Sequence, residues 1–183
     1  MQTNRLSKTM ENALNSQVTQ EAYAAQIYLM LACWADHENF DGVEDFMIKH
    51  SAEERTHMAK IIEYIQERGG KAKIDAIKKP TPEPKNILEC FEEVLKQEIE
   101  NTEYIYNLVN LSFEEKDWAT WNFLHWLVAE QREEEKLALE LLDKVKLAGG
   151  AKMDDTGKFE INKLLSLTGQ EFPTADKVNP FQK

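Results

Sequence analysis

This sequence of 183 residues has little cysteine, glycine and proline, and it has no long apolar run. Its two cysteines, Cys33 and Cys90, form no CxxC pair, which argues against a disulfide scaffold, a zinc knuckle or a rubredoxin-like iron centre. The longest apolar stretch, AAQIYLMLACWA, contains Gln26 and is too short to span a bilayer. The N-terminal MQTNRLSKTMENALNS lacks the apolar segment of a signal peptide. We therefore expect a soluble protein of the reducing cytoplasm.

Basic residues are also scarce relative to acidic ones. Lys and Arg number 22 against 33 Asp and Glu, which leaves a formal net charge of −11. A field of this sign repels nucleic acid and anionic membranes and attracts cations. We expect neither a nucleic-acid nor a membrane partner, and the acidity alone is only a weak indication of cation handling.

The few breakers leave long segments rich in Leu, Ala, Glu and Lys, which are good helix formers. Hydrophobic periodicity therefore predicts an all-α chain with four long helices and a short amphipathic fifth helix. The long helices are predicted from about Ser7 to Asp36, from about 42 to 68, from Asn86 to about Leu111, and from after Lys116 to Gly149. The fifth is predicted over 158–169. We predict one domain over residues 1–168, followed by an irregular tail over 169–183.

The ends of the second and third helices carry specific signals. Asp41 with Glu44, and Asn86 with Glu89, have the spacing of capping boxes. Between these helices, KAKIDAIKKPTPEPK contains three prolines and is long enough to run the length of a bundle. The sequence therefore predicts a four-helix bundle with one long crossover, in which the second and third helices are parallel neighbours.

An acid interrupts the inward apolar stripe of each long helix near its middle. The four acids are Glu21, Glu54, Glu98 and Glu134. A single such acid is more often exposed or paired with Lys or Arg than bound to a metal. Four together, with no Lys or Arg at the middle of these stripes, need a cation or shared protons to balance their charge in a core.

Glu54 and His57 are spaced i and i+3, so that a carboxylate and an imidazole share one helix face. Di-metal carboxylate bundles use one Glu from each of two helices and Glu-x-x-His from each of the other two. Here the second motif is broken, because Leu137 stands where its histidine belongs, while Gln131 lies one turn before Glu134. Oxygen-rich ligation with one imidazole suits iron or manganese better than zinc or copper.

Several stretches together resemble bacterial non-haem ferritins, over roughly residues 5–168. They are QEAYAAQIY, HSAEERTHM, the region around Glu98, and FLHWLVAEQREEEKL. The resemblance implies a ferritin-like bundle with a long crossover and a short fifth helix. It also implies iron storage in a homo-oligomeric 24-mer shell, where a ferroxidase centre oxidises Fe(II) with O₂ or H₂O₂ and ferric mineral is stored.

The resemblance also assigns residues to iron positions. It implies a first iron held by Glu21, Glu54 and His57, and a second held by Glu54, Glu98 and Glu134 with Gln131 close by. Tyr28 matches a tyrosine beside the site that can donate one electron, although many such tyrosines are ordinary core residues with a bonded hydroxyl. A third position matches Glu53, Glu130 and Glu133, with Glu134 shared, and its alternative is a solvated acidic helix face.

Two positions depart from related families. Bacterioferritins carry a haem-ligating Met beside the Glu of the second helix, where this chain has Arg55, so no haem is expected. Animal ferritins line their three-fold pores with acids, whose matching positions here are Trp121 and Leu124, so the resemblance does not give the iron entry route. We interpret the remaining histidines, His37, His50 and His125, as core or surface residues.

Two alternative functions stay open from the sequence. A di-iron oxygenase or a manganese catalase can use the same bundle, but it is expected to keep the second Glu-x-x-His and a substrate-sized pocket. The other alternative is a non-catalytic helical bundle that binds a partner. It does not explain why four acids lie on the inward stripes.

Overall fold

The computed structural model describes residues 4–168, and within that range it contains helices and no strand. The long helices are α1 (Lys8–His37), α2 (Asp41–Glu67), α3 (Ile87–Glu114) and α4 (Trp118–Leu147), and α5 (Asp155–Thr168) follows a short 3-10 turn at Gly150–Lys152. The all-α prediction is confirmed, and α3 ends one turn later than predicted. The predicted tail over 169–183 lies outside the described residues.

The directions of the helices follow from bonds between them. Arg5 N donates to the carbonyl oxygen of Arg68 at 2.8 Å, which places the end of α2 beside the start of α1. Ser7 Oγ donates to Glu115 Oε2 at 2.6 Å, which places the end of α3 there as well. Both helices therefore run antiparallel to α1 and parallel to each other, as predicted. The prediction that α2 and α3 are neighbours is wrong, because α3 packs against α1 and α4. The long crossover therefore leads from the end of α2 to a helix that is not adjacent to it.

The predicted cap of α3 is confirmed. Asn86 Oδ1 accepts from Glu89 N at 3.0 Å, and Glu89 Oε2 accepts from Lys85 N at 2.9 Å. These bonds satisfy amides at the helix start that have no intrahelical partner.

The predicted cap of α2 is wrong. Asp41 and Glu44 form no capping box, because the N-cap residue is Phe40, which makes no side-chain capping bond. Instead Asn162, in the middle of α5, accepts from Gly42 N at 2.8 Å. A Cβ on Gly42 would lie 1.9 Å from the Asn162 carbonyl oxygen, so only glycine allows α5 to pack this closely. Helix α5 therefore completes the start of α2.

Two apolar clusters fill the bundle, one toward each end. One combines the end of α1 with the start of α2, the start of α3, the end of α4 and α5, and includes Leu31, Phe91 and Ile161. The other lies at the opposite end and includes Leu14 and Leu124. Leu124 is fully buried there, so it lies in the core and is not positioned to line a pore. No helix within residues 4–168 is long and apolar enough to cross a membrane.

Candidate metal centre

Between the two apolar clusters, each long helix contributes buried polar side chains. The relative exposures of the four stripe acids are 0% for Glu21, 2% for Glu54, 1% for Glu98 and 9% for Glu134. None of the buried side chains within residues 4–168 is Lys or Arg. The layer is therefore acidic and has no fixed cation of its own.

The first group in this layer consists of Glu21, Glu54 and His57, whose ligand atoms lie within 4.8 Å of one another. His57 Nδ1 and Glu54 Oε2 are 3.6 Å apart, too far for a hydrogen bond, and neither atom has a hydrogen-bond partner. Buried polar atoms without partners are rare and costly. A cation bound between the two atoms would satisfy both.

Two amide side chains orient the carboxylate of Glu21 by hydrogen bonds. Gln17 Nε2 donates to Glu21 Oε1 at 2.7 Å, and Asn101 Nδ2 donates to Glu21 Oε2 at 3.3 Å. Gln17 also donates to Asn101 Oδ1 at 2.8 Å, which links α1 to α3. Such outer bonds fix the direction of a carboxylate ligand. Neither amide is predicted from the sequence, although Gln17 lies one turn before Glu21 and Asn101 one turn after Glu98.

Glu98 lies in a second group of polar contacts. Its carboxylate accepts hydrogen bonds from the Tyr28 hydroxyl and, at 3.2 Å, from Gln131 Nε2. Gln131 Nε2 also contacts Thr102 Oγ1 at 3.3 Å. The structure thus brings Tyr28, Gln131 and Glu98 together in the layer.

Two further groups combine α2 with α4. His50, Glu53 and Glu134 form one, and Glu53, His57 and Glu130 form the other, each with ligand atoms within 4.8 Å of one another. Glu133 belongs to neither group, because its side chain is 65% exposed and lies 3.7 Å from Arg132.

His50, interpreted from the sequence as a core or surface residue, also contacts the acidic layer. Its Nε2 lies 3.6 Å from Glu134 Oε2. The signal was present in the sequence, because His50 lies four residues before Glu54 and so shares its helix face.

Burial dominates the proton affinities of the layer. It raises the pKa of Glu21 and of Glu54 well above the usual range, and the neighbouring acids Glu54 and Glu98 add to the respective shifts. Burial and then Glu134 raise the pKa of Glu98 to about 7. Burial acts to raise the pKa of Glu134 too, but the contact with His50 and the nearby imidazole of His57 together outweigh burial, and the pKa of that carboxyl is lowered. Cation binding would therefore displace protons from the raised carboxyls.

A four-helix bundle with one long crossover and a buried layer of carboxylates and histidine is the architecture of ferritin-like carboxylate proteins. The Ferritin-like domain family matches residues 11–148 of this chain. A probable bacterial non-heme ferritin-like protein of Haemophilus influenzae is 40% identical over 158 residues, which cover 86% of this chain and 94% of the relative. A bacterial non-heme ferritin of Staphylococcus epidermidis is 45% identical over 130 residues, covering 71% and 78%.

Solved structures agree with these relatives. The open pore ferritin of the hyperthermophilic archaeon Archaeoglobus fulgidus is similar with a TM-score of 0.86 and 38% identity, covering 90% of this chain and 99% of that one. The chain belongs to the ferritin family, and the resemblance of its motifs to bacterial non-haem ferritins is confirmed.

Proposed function

We propose that this protein stores iron, oxidising Fe(II) in the buried layer and depositing Fe(III) as mineral within a shell of its own copies. The observation that carries the proposal is the pair of unpartnered buried atoms, Glu54 Oε2 and His57 Nδ1, 3.6 Å apart in a layer without Lys or Arg. Iron is here the substrate and the cargo. Family membership and the named relatives support storage.

The residues divide into two iron positions. Glu21, Glu54 and His57 hold the first Fe(II), and Glu54 bridges to a second that Glu98 and Glu134 hold, with Gln131 beside it. Anionic oxygen ligands favour Fe(III) over Fe(II), because the higher charge gains more from them. Two Fe(II) ions release two electrons, which reduce O₂ with two protons to H₂O₂, or reduce H₂O₂ with two protons to water.

Tyr28 has a defined place in this scheme. Its hydroxyl donates to Glu98, so an electron leaving the ring can be accompanied by transfer of the hydroxyl proton to that carboxylate. We propose Tyr28 as a one-electron donor to the oxidant when a single iron is present. A third iron position lies toward Glu53 and Glu130, with Glu134 shared, whereas the exposed side chain of Glu133 does not support its predicted place there.

The assembly and the compartment are part of the proposal. We propose a closed homo-oligomer of the 24-mer type, because this chain covers nearly the whole of a solved ferritin chain. Cys33 and Cys90 are both free in the structure, which suits a reducing cytoplasm.

Stoichiometry of the fast phase tests the oxidation step. Metal-free protein mixed with Fe(II) in air is expected to show a fast rise of Fe(III) absorbance that saturates at about two Fe(II) per chain, one for each proposed position. Oxidation no faster than in protein-free buffer would contradict the proposal. A di-iron oxygenase or manganese catalase would retain its metal and form no mineral on further addition.

A further inference from the structure

Asn101 is a fully buried residue of α3 whose side-chain amide contacts residues of both proposed iron positions. Its Nδ2 donates to Glu21 Oε2 at 3.3 Å and to the side-chain carbonyl oxygen of Gln131 at 3.4 Å. An amide nitrogen carries two hydrogens, so these two acceptors use both of them. Asn101 therefore joins a ligand of the first position, on α1, to the amide beside the second position, on α4.

The surrounding side chains allow the Asn101 amide only one orientation. Its Oδ1 accepts from Gln17 Nε2 at 2.8 Å, and Gln17 Nε2 also donates to Glu21 Oε1 at 2.7 Å, which closes a ring of three hydrogen bonds. If the amide turned over, its oxygen would face the acceptor oxygens of Glu21 and Gln131, and its nitrogen would face the donor of Gln17. Losing these bonds in a buried layer is costly, so the orientation of Asn101 is fixed.

Gln131 continues the hydrogen bonds from Asn101 to Glu98. Its Nε2 lies 3.2 Å from Glu98 Oε2 and 3.2 Å from the main-chain carbonyl oxygen of Glu98. Because a carbonyl oxygen only accepts, the nitrogen of the Gln131 amide is the atom that faces Glu98, and its oxygen is left to accept from Asn101. An unbroken series of hydrogen bonds thus runs from Glu21 through Asn101 and Gln131 to Glu98.

We propose that Asn101 is a positioning residue that couples the two iron positions. It holds Glu21 for the first ion and, through Gln131, holds Glu98 for the second. The inference rests on the proposed function, because that function defines the two positions. Groups that hydrogen-bond to metal ligands are worth 10–100-fold in metal affinity. An amide that supports only Glu21 would affect one position, whereas Asn101 affects both.

Position-resolved zinc binding tests the coupling without any oxidation step. Crystals of the full chain, freed of metal, are equilibrated with a series of Zn(II) concentrations, and the anomalous signal at the zinc absorption edge gives the occupancy of each position separately. Asn101→Leu removes all the bonds of this amide while keeping much of its volume, and Asn101→Ala is a second variant that demands less of the packing. Gln17→Leu removes support for Glu21 alone. Asn107→Leu is the matched control, because Asn107 is an exposed Asn of the same helix.

We expect both Asn101 variants to need at least about 10-fold more Zn(II) than the wild type for half occupancy at the first position and also at the second. Gln17→Leu is expected to weaken the first position alone, because the bonds from Asn101 to Gln131 remain. Asn107→Leu is expected to match the wild type. Thermal unfolding in chelator identifies which variants are folded and can be compared.

The inference would be overturned if the folded Asn101 variants lost affinity at the first position only, or at neither position. It would also be overturned if Gln17→Leu weakened both positions equally, because the loss would then not depend on the bond from Asn101 to Gln131. Wild-type crystals without zinc between Glu21, Glu54 and His57 would instead contradict the di-iron function itself. Zinc at both positions with unchanged affinity in the variants would contradict the coupling alone.

Discussion

Glu54 and His57 contribute the two unpartnered atoms on which the iron-binding proposal depends. Replacing either residue with Ala is expected to slow fast Fe(II) oxidation by more than about 10-fold, since even the partners behind a metal ligand are worth 10–100-fold in affinity. The bundle should stay folded, because Glu54→Ala removes a charge that its acidic neighbours repel. Stopped-flow absorbance and thermal unfolding measure the two effects. Glu63→Ala, an exposed acid of α2, is the control, and near-native oxidation in Glu54→Ala would disprove the assignment.

Leu137 makes the two iron positions unequal. The first position has the imidazole of His57 in addition to carboxylates. The second position receives no imidazole from α4, because Leu137 stands where the second histidine of the motif belongs. We expect the first position to fill first, because imidazole is a good and directional ligand when it is oriented. Crystals given one equivalent of Zn(II) per chain without oxygen should show higher occupancy beside His57 than between Glu98 and Glu134. Equal occupancy, or the reverse order, would show that the broken motif does not create this inequality.

Glu98 makes the stability of the metal-free protein depend on pH. Its pKa is raised from 4.5 to about 7 in the folded state, so the folded state binds the proton more tightly than the unfolded state. Stability is therefore highest below about pH 4.5 for this group and is lost as pH rises through about 7, by up to about 3 kcal/mol. In chelator, the Tm of the wild type should fall relative to that of Glu98→Gln between pH 5 and 8. A constant difference across this range would refute the shift.

The sequence allowed the four acids to be predicted because their position depends on local periodicity. Each acid lies in register with an apolar stripe, so a helix that buries the stripe also buries the acid. Gln17, Asn101 and His50 were missed because their importance comes from partners on other helices. The place of Glu133 at the third position stays a prediction, because adjacent acids on α4 point in different directions and the side chain of Glu133 is exposed beside Arg132.

Helix α5 stabilises the start of α2 through Asn162. We expect Asn162→Ala to lower the free energy of unfolding by about 1 kcal/mol more than Asn107→Ala does. Both variants exchange a helical Asn for Ala, but only Asn162→Ala removes the bond that caps α2. Asn107 is exposed on α3, so the matched variant corrects for helix propensity. Thermal unfolding of both variants gives the difference. Equal Tm values would mean that Asn162 contributes no capping.

The close approach at Gly42 should be less tolerant than the cap. A methyl group there would meet the Asn162 carbonyl at 1.9 Å, so Gly42→Ala must displace α5. We expect a larger loss of stability than in Asn162→Ala, together with faster proteolysis of α5. If α5 of Gly42→Ala resists proteolysis as well as α5 of the wild type does, the contact accommodates a methyl group without loss of stability.

These element-scale features explain which parts of the fold were predictable. The helices, the cap of α3 and the crossover follow from signals within a few residues of each other. The cap of α2 comes from Asn162, more than a hundred residues away in the chain, so no local pattern reveals it. The crossover likewise shows that α2 and α3 are parallel, but its length suits either an adjacent or a more distant position.

For the whole molecule, we propose that the chain builds a shell that collects iron beyond its binding positions. Repeated additions of Fe(II) in air, followed by size-exclusion chromatography with detection of protein and iron, distinguish such a shell from a small metal-binding oligomer. We predict that Fe(III), far in excess of about three ions per chain, elutes with the protein as one large assembly. If iron stops at the number of binding positions on a small oligomer, or precipitates apart from the protein, the protein does not store iron in a shell.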